Sequence, residues 1–161
     1  MPDSFLSSVL LDEQAVRLPP QGEYAVGQVF LPRDEGQRGT ARCVIERVAA
    51  RLGHDTLTWR RVPTHAAPLG ASAVAVEPVV EQWFLSARGN RAGLDTEQQL
   101  FLLRKFIEAE LREMGLDEDE VYFCSLSSAT LVYKGQLTPE QVWGAAACCD
   151  APSKCCNNML L

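Results

Sequence analysis

No stretch of about 18 consecutive apolar residues, the length a membrane-crossing helix needs, occurs in these 161 residues. Basic residues are the minority charge: 15 Lys and Arg against 21 Asp and Glu leave a formal charge of -6. They gather into no basic run, which argues against attraction to nucleic-acid phosphates. No cationic stretch leads into an apolar one at the N-terminus, and Met1 to Leu11, broken by Pro2 and Asp3, reads as a structural segment rather than a secretory signal. The expectation is a soluble chain with neither nucleic acid nor membrane as partner, and no compartment is assigned.

Histidine is scarce, with only His54 and His65. Both fall in or beside loops, without a partner at metal-ligand spacing or a carboxylate to orient them, and both read as surface residues. Of the six cysteines, Cys148, Cys149, Cys155 and Cys156 crowd into the C-terminal end, a lopsidedness unlike a disulfide framework. Cys43 and Cys124 lie within apolar patterns and read as small buried hydrophobes.

What is present is a core: 47% hydrophobic residues in a length suited to one domain. Tyr24 to Leu31, bounded by Pro19, Pro20, Gly22 and Pro32, predicts a strand. Ala41, Val44, Ile45, Val48, Ala49 and Leu52 recur at helical spacing over 38–52, and Gly53 follows at the C-cap position. Residues 56–62 predict a second strand with Leu57, Trp59 and Arg61 on one face, ended by Pro63. Pro63 to Glu77 reads as a surface loop, and Val79 to Ser86 as a third strand.

Asp95 with Gln98 forms a capping box that opens a helix over 96–114, its stripe being Leu100, Leu103, Ile107, Leu111 and Met114. That stripe suits either a core or a partner. Gly115 ends the helix, Asp117 to Glu120 reads as a solvated loop, and Val121 to Leu126 and Thr130 to Lys134 as two strands joined by a hairpin at 127–129. The class is α/β (α+β layered), with no order of strand pairing readable and no solenoid repeat. Beyond Pro139 the periodicity fails.

Weighed as chemistry, these residues offer little. Cys43, as a nucleophile exposed by processing, would require a cut inside a helix. Ser127 and Ser128 lack a Gly-x-Ser-x-Gly elbow and read as turn residues. Lys134-Gly135 lacks the rest of a phosphate loop. Glu77 and Glu81 are a candidate acid/base pair, but they are separated by Pro78 and read as structural. The paired tail cysteines lack Cys-x-x-Cys spacing; zinc or iron-sulfur binding, disulfides, lipid attachment and a non-native tail are the alternatives, the last fitting best.

Three stretches together carry a resemblance: LPPQGEYAVGQVFLPRD (Leu18 to Asp34), LGASAVAVEPVVEQWFL (Leu69 to Leu85) and VYFCSLSSATLVYKGQLTPEQV (Val121 to Val142). In content, order and spacing they resemble the large chain of glutamate synthases, within its N-terminal class II glutamine amidotransferase domain. The start, Met1-Pro2 followed by Phe5, fits too. The resemblance covers 1–142, a partial domain, and leaves 143–161 as a divergent cysteine-rich tail. It implies an N-terminal-nucleophile fold, two sheets between helical layers, of which this chain holds a central part.

It further implies glutamine hydrolysis to glutamate and ammonia, with the ammonia passed to a flavin-bearing barrel that makes glutamate from 2-oxoglutarate. The family's nucleophile is an N-terminal cysteine thiolate whose own amine can act as base; Asn and Gly supply oxyanion donors, and an arginine holds the substrate carboxylate. Position 1 here is Met, and His-Arg-Gly, Arg-Phe-Ser and His-Asn-Gly do not occur. No catalytic, cofactor or metal residue is carried over, FMN and an iron-sulfur cluster are expected in other domains of the parent, and the chain is expected to be inert alone. The other readings are a non-catalytic binding or regulatory protein that keeps the fold segment and a small metal-binding protein.

Overall fold

The computed structural model describes residues 3–64, 71–87, 89, 93–116, 119–132 and 134. The chain opens with a helix that its sequence pattern does not announce, α1 (Asp3–Gln14), which buries Leu6 and Leu10 one turn apart. After Pro19 and Pro20 comes β1 (Tyr24–Leu31), buried along nearly its whole length. Asp34 then starts α2 (Glu35–Arg51) by accepting from the Gln37 amide at 2.8 Å. Gly53, at a φ of 83° open to glycine, turns the chain into β2 (Thr56–Arg61).

Within the expected loop 63–77, residues 65–70 lie outside the described residues, and Ala71–Ala75 form a short helix, α3. Arg33 satisfies its end by donating to the carbonyls of Val74 (2.7 Å) and Ala75 (3.0 Å). β3 (Val79–Ser86) follows, then α4 (Thr96–Glu113), opened by the expected Asp95–Gln98 capping box. Gly115, at a φ of 78°, ends it, and β4 (Tyr122–Ser127) completes the order.

The four strands form one antiparallel sheet in the order β2-β3-β1-β4. Each βαβ unit therefore straddles a strand of the other, the split βαβ arrangement. Of the two-sheet sandwich that the resemblance implies, the described residues hold this sheet and its helices, an α/β layering.

One sheet face carries Ala25, Val29, Leu31, Trp83, Leu85 and Phe123, packed against the buried stripes of α2 and α4. Gly27 lies on this face because a Cβ there would stand 3.3 Å from Trp83 Cε3 and 3.4 Å from Leu126 Cδ1. Glu110 of α4 ties the two helices together, meeting Arg47 at 2.5 Å and Arg51 at 2.9 Å. The hydrogen bond from Arg47, helped by both arginine charges, holds its carboxyl below the usual range. The clasp is thus present at neutral pH and is lost as pH falls through that lowered pKa. The opposite face carries Tyr24, Val26 and Phe84 under Leu6 and Leu10 of α1.

Other expectations need correction here. Leu57 and Trp59 do not share a face: the pairing shifts between Thr56 and Thr58, so Leu57 packs beneath α1 and Trp59 beneath α2. One extra residue in a strand reverses the in-out alternation. Arg61 does share the face of Trp59 but is exposed there, while Arg60, on the other face, is buried. Met114, at the fraying end of the stripe, is exposed. Thr130, Leu131, Val132 and Lys134 belong to no strand, because Ser127 turns the chain with its own side chain, its Oγ accepting from the amides of Ala129 and Thr130 at 3.0 Å each. Among the described residues no helix is long and apolar enough to cross a membrane.

Candidate functional site

The two described cysteines lie on separate elements. Cys43 projects from the exposed side of α2, opposite the stripe of Ala41, Ile45 and Val48, and is not the buried residue expected from its apolar neighbours. Cys124 is buried in β4, where the pairing with β1 shifts. Loss of hydration on burial raises its thiol to about 11, against a smaller opposing pull from Lys134 and Arg104. A raised thiol pKa means that the neutral form stabilises the fold. That contribution is complete below the unfolded thiol pKa, and it is lost as pH rises through about 11.

One cysteine is exposed and the other is buried with a raised thiol pKa, so their reactivities should differ sharply. At pH 8, iodoacetamide followed by peptide mapping is expected to label Cys43 in the native chain and Cys124 only after denaturant is added. Equal labelling of the two would show that β4 opens readily.

His54 is buried at 2% exposure, against the expectation of a surface residue. It follows the Gly53 turn, which brings its ring back to the sheet, where Nδ1 lies 2.9 Å from the Ser86 carbonyl oxygen. A carbonyl only accepts, so Nδ1 carries the proton. Nε2 faces Gly89, where a Cβ would stand 2.5 Å away. His65 lies outside the described residues, as do Cys148, Cys149, Cys155, Cys156 and the whole of 143–161.

Glu77 and Glu81 take different partners. Glu77 accepts from Thr64 Oγ1 at 2.7 Å. Glu81, 2% exposed on the helix-covered face, receives Arg42 Nε at 2.7 Å and Nη2 at 2.5 Å. The same guanidinium lies 5.1 Å above the Trp59 ring, whose Nε1 donates to Glu46 at 2.6 Å. This joins α2 to β2 and β3. Ser128 donates its hydroxyl and amide to Glu97 at the start of α4, at 2.6 and 2.8 Å. Lys134 bonds the Tyr122 hydroxyl and covers its ring; Gly135 lies outside the described residues.

The side chains singled out in the sequence are thus tied individually into the scaffold rather than brought together. Among the described residues, no three His, Cys, Asp or Glu side chains stand close enough to hold a metal ion. A charged crevice of about 140 Å³ lies at the end of β1 and β2, lined by Arg33, Arg61, Thr64 and Glu77 among others. Sequence reasoning does not assemble it, for its walls come from strand ends distant in the chain. The one available signal is the pair Pro63 and Pro78, which end one strand and precede another.

Comparison with known proteins adds what the geometry leaves open. The family model Glutamine amidotransferases class-II matches residues 1–145. A chloroplastic ferredoxin-dependent glutamate synthase of Oryza sativa subsp. japonica is 39% identical over 115 residues, which is 71% of this chain and 7% of that protein. The glutamate synthase [NADPH] large chain of Bacillus subtilis is 36% identical over 143 residues, 88% of this chain and 9% of its own length. A glutamate synthase [NADH] of Saccharomyces cerevisiae is 36% identical over 152 residues, 89% and 7%. The chain spans less than a tenth of the length of these relatives.

Proposed function

The chain belongs to the class II glutamine amidotransferases, and on that premise we propose that it is scaffold of the glutaminase region of a glutamate synthase. The observation that carries this reading is the alignment of most of the chain, in one piece, with relatives named as glutamate synthases. In the parent enzyme, water and glutamine give glutamate and ammonia, and the ammonia feeds glutamate synthesis elsewhere in the polypeptide. The partners on this reading are the rest of the glutamate synthase chain and, for the assembled enzyme, glutamine.

The thiolate nucleophile, the oxyanion donors and the carboxylate-binding arginine belong to other parts of the parent, and so do FMN and the iron-sulfur cluster. Ferredoxin-, NADPH- and NADH-named relatives match the same segment, which fits electron-donor determinants that also lie elsewhere. This segment's contribution is rigidity: a sheet covered by helices on one face and by α1 on the other, with ion pairs such as Arg42–Glu81, Arg60–Glu13 and Glu110 with Arg47 and Arg51 joining the elements.

The test follows glutamate release from glutamine by the purified 161-residue chain, with its N-terminus defined by mass spectrometry in the same sample. No release above buffer is expected. Release that disappears in Cys43→Ser or Cys124→Ser would sink the scaffold reading, because one of these residues would then be acting as a nucleophile.

A further inference from the structure

Among the described residues β2 is an edge strand, and the ladder shows which of its backbone groups face outward. The Val62 amide donates to the Val80 carbonyl at 2.9 Å, so Val62 faces β3. In antiparallel pairing the hydrogen-bonded positions alternate. Arg60, opposite Gln82, therefore also turns its amide and carbonyl to β3, while Trp59 and Arg61 turn theirs away from the sheet. Such a row of outward groups is a template for another strand. It is short, because the irregularity at Leu57 interrupts it on one side and Pro63 on the other.

One of these groups is occupied. Gln14, the last residue of α1, donates its carboxamide Nε2 to the Trp59 carbonyl at 2.9 Å, and its Oε1 receives the Thr58 hydroxyl at 2.6 Å. The next residue back, Glu13, holds buried Arg60 through Nε at 2.8 Å and Nη2 at 3.0 Å, which fixes this end of α1 against β2. We propose that Gln14 is an edge guard, keeping two copies of this chain from joining edge to edge along β2.

A second copy is the fitting occupant on geometric grounds. Antiparallel pairing of two β2 edges about a two-fold axis at Arg60 sets Trp59 of each copy opposite Arg61 of the other. Those are the two positions whose backbone groups face outward, so each pair exchanges both hydrogen bonds. Trp59 and Arg61 also share a sheet face, so in that pairing the side chain of each stands beside that of the other across the new seam. The acceptor needed for the incoming Arg61 amide is the Trp59 carbonyl that Gln14 covers.

Sedimentation of the full chain and its Gln14→Ala variant over a concentration series tests this. Each dimer would have to break one guard bond per copy, and two hydrogen bonds of ordinary strength correspond to a dimer roughly thirtyfold tighter in the variant. The amides of Trp59 and Arg61 should exchange more slowly in that dimer. Gln14→Glu, which retains an acceptor for Thr58 but cannot donate to Trp59, should behave alike and separates the guard bond from loss of the side chain. Adding Arg61→Pro, which removes an outward amide without removing a ladder bond, should restore the monomer. Gln14 variants that sediment like the parent at every concentration, or that associate equally well when Arg61→Pro is added, would overturn the proposal.

Discussion

Arg42→Ala should lower the unfolding free energy by about 3 kcal/mol in urea titrations, with little change in slope. The cause is the carboxylate left behind. Glu81 is 2% exposed, and Arg42 gives it two charge-assisted bonds. Removing one partner of a buried pair costs about 3 to 5 kcal/mol, chiefly by stranding the other charge. Arg42 is itself 36% exposed, so water can reach part of the vacated space, which places the expectation at the low end. The lost cover over the Trp59 ring adds a smaller amount. Glu81→Leu introduced together with Arg42→Ala should recover most of the loss, because no charge then remains buried. If the single variant lost less than about 1 kcal/mol, Glu81 would have to be solvated by some other route.

Trp83→Ala should cost about 3 to 5 kcal/mol, the range for deleting a large buried aromatic side chain. Its ring is fully buried, stacks on Trp59 at 5.7 Å between centroids and 18° between planes, and fills the space that Gly27 leaves open. Its Nε1 donates to Thr56 Oγ1 at 3.0 Å, so the substitution also strips a bond from the start of β2. The same variant should lose the near-ultraviolet circular dichroism of the stacked pair. Retention of that signal, or a loss in stability below about 1.5 kcal/mol, would mean that the helices close over the gap and that the core is far more adaptable than its packing indicates.

What can be read from the sequence alone follows from the range of the forces involved. The strands at 24–31 and 79–86 and the helix over 96–113 carry local signals, proline boundaries, a capping box and an apolar stripe, and they appear where those signals lie. α1 has Phe5, Leu6, Val9 and Leu10 on one side of the helix, but Leu11 falls on the other and is 47% exposed, and Pro2 and Asp3 at its start draw the reading away from a helix. Cys43 misleads because its neighbours are apolar while its angle is wrong: it lies two residues from both Ala41 and Ile45 and so on the opposite side of the helix.

The displacement of Leu57 from Trp59 rests on one extra residue whose only cause is pairing with a strand more than twenty residues later. His54 becomes a buried group through the turn at Gly53, and nothing in its own neighbours announces that. The family motifs are legible because they are contiguous stretches, whereas the crevice at Arg33, Arg61 and Glu77 is assembled only once β3 lies between β1 and β2.

That interleaving has a kinetic side. β1 cannot pair with β2, the next strand made, and β3 cannot pair with β4, since each couple has a strand of the other unit between them. The first partner available to β1 lies 48 residues on (Leu31 to Val79) to 62 residues on (Tyr24 to Ser86). Closing so long a span must precede any gain from the ladder. A chain emerging from the ribosome therefore holds β1 without a ladder partner until β3 is out, and the sheet forms late. High contact order of this kind slows folding and lengthens the window in which nascent chains can meet one another.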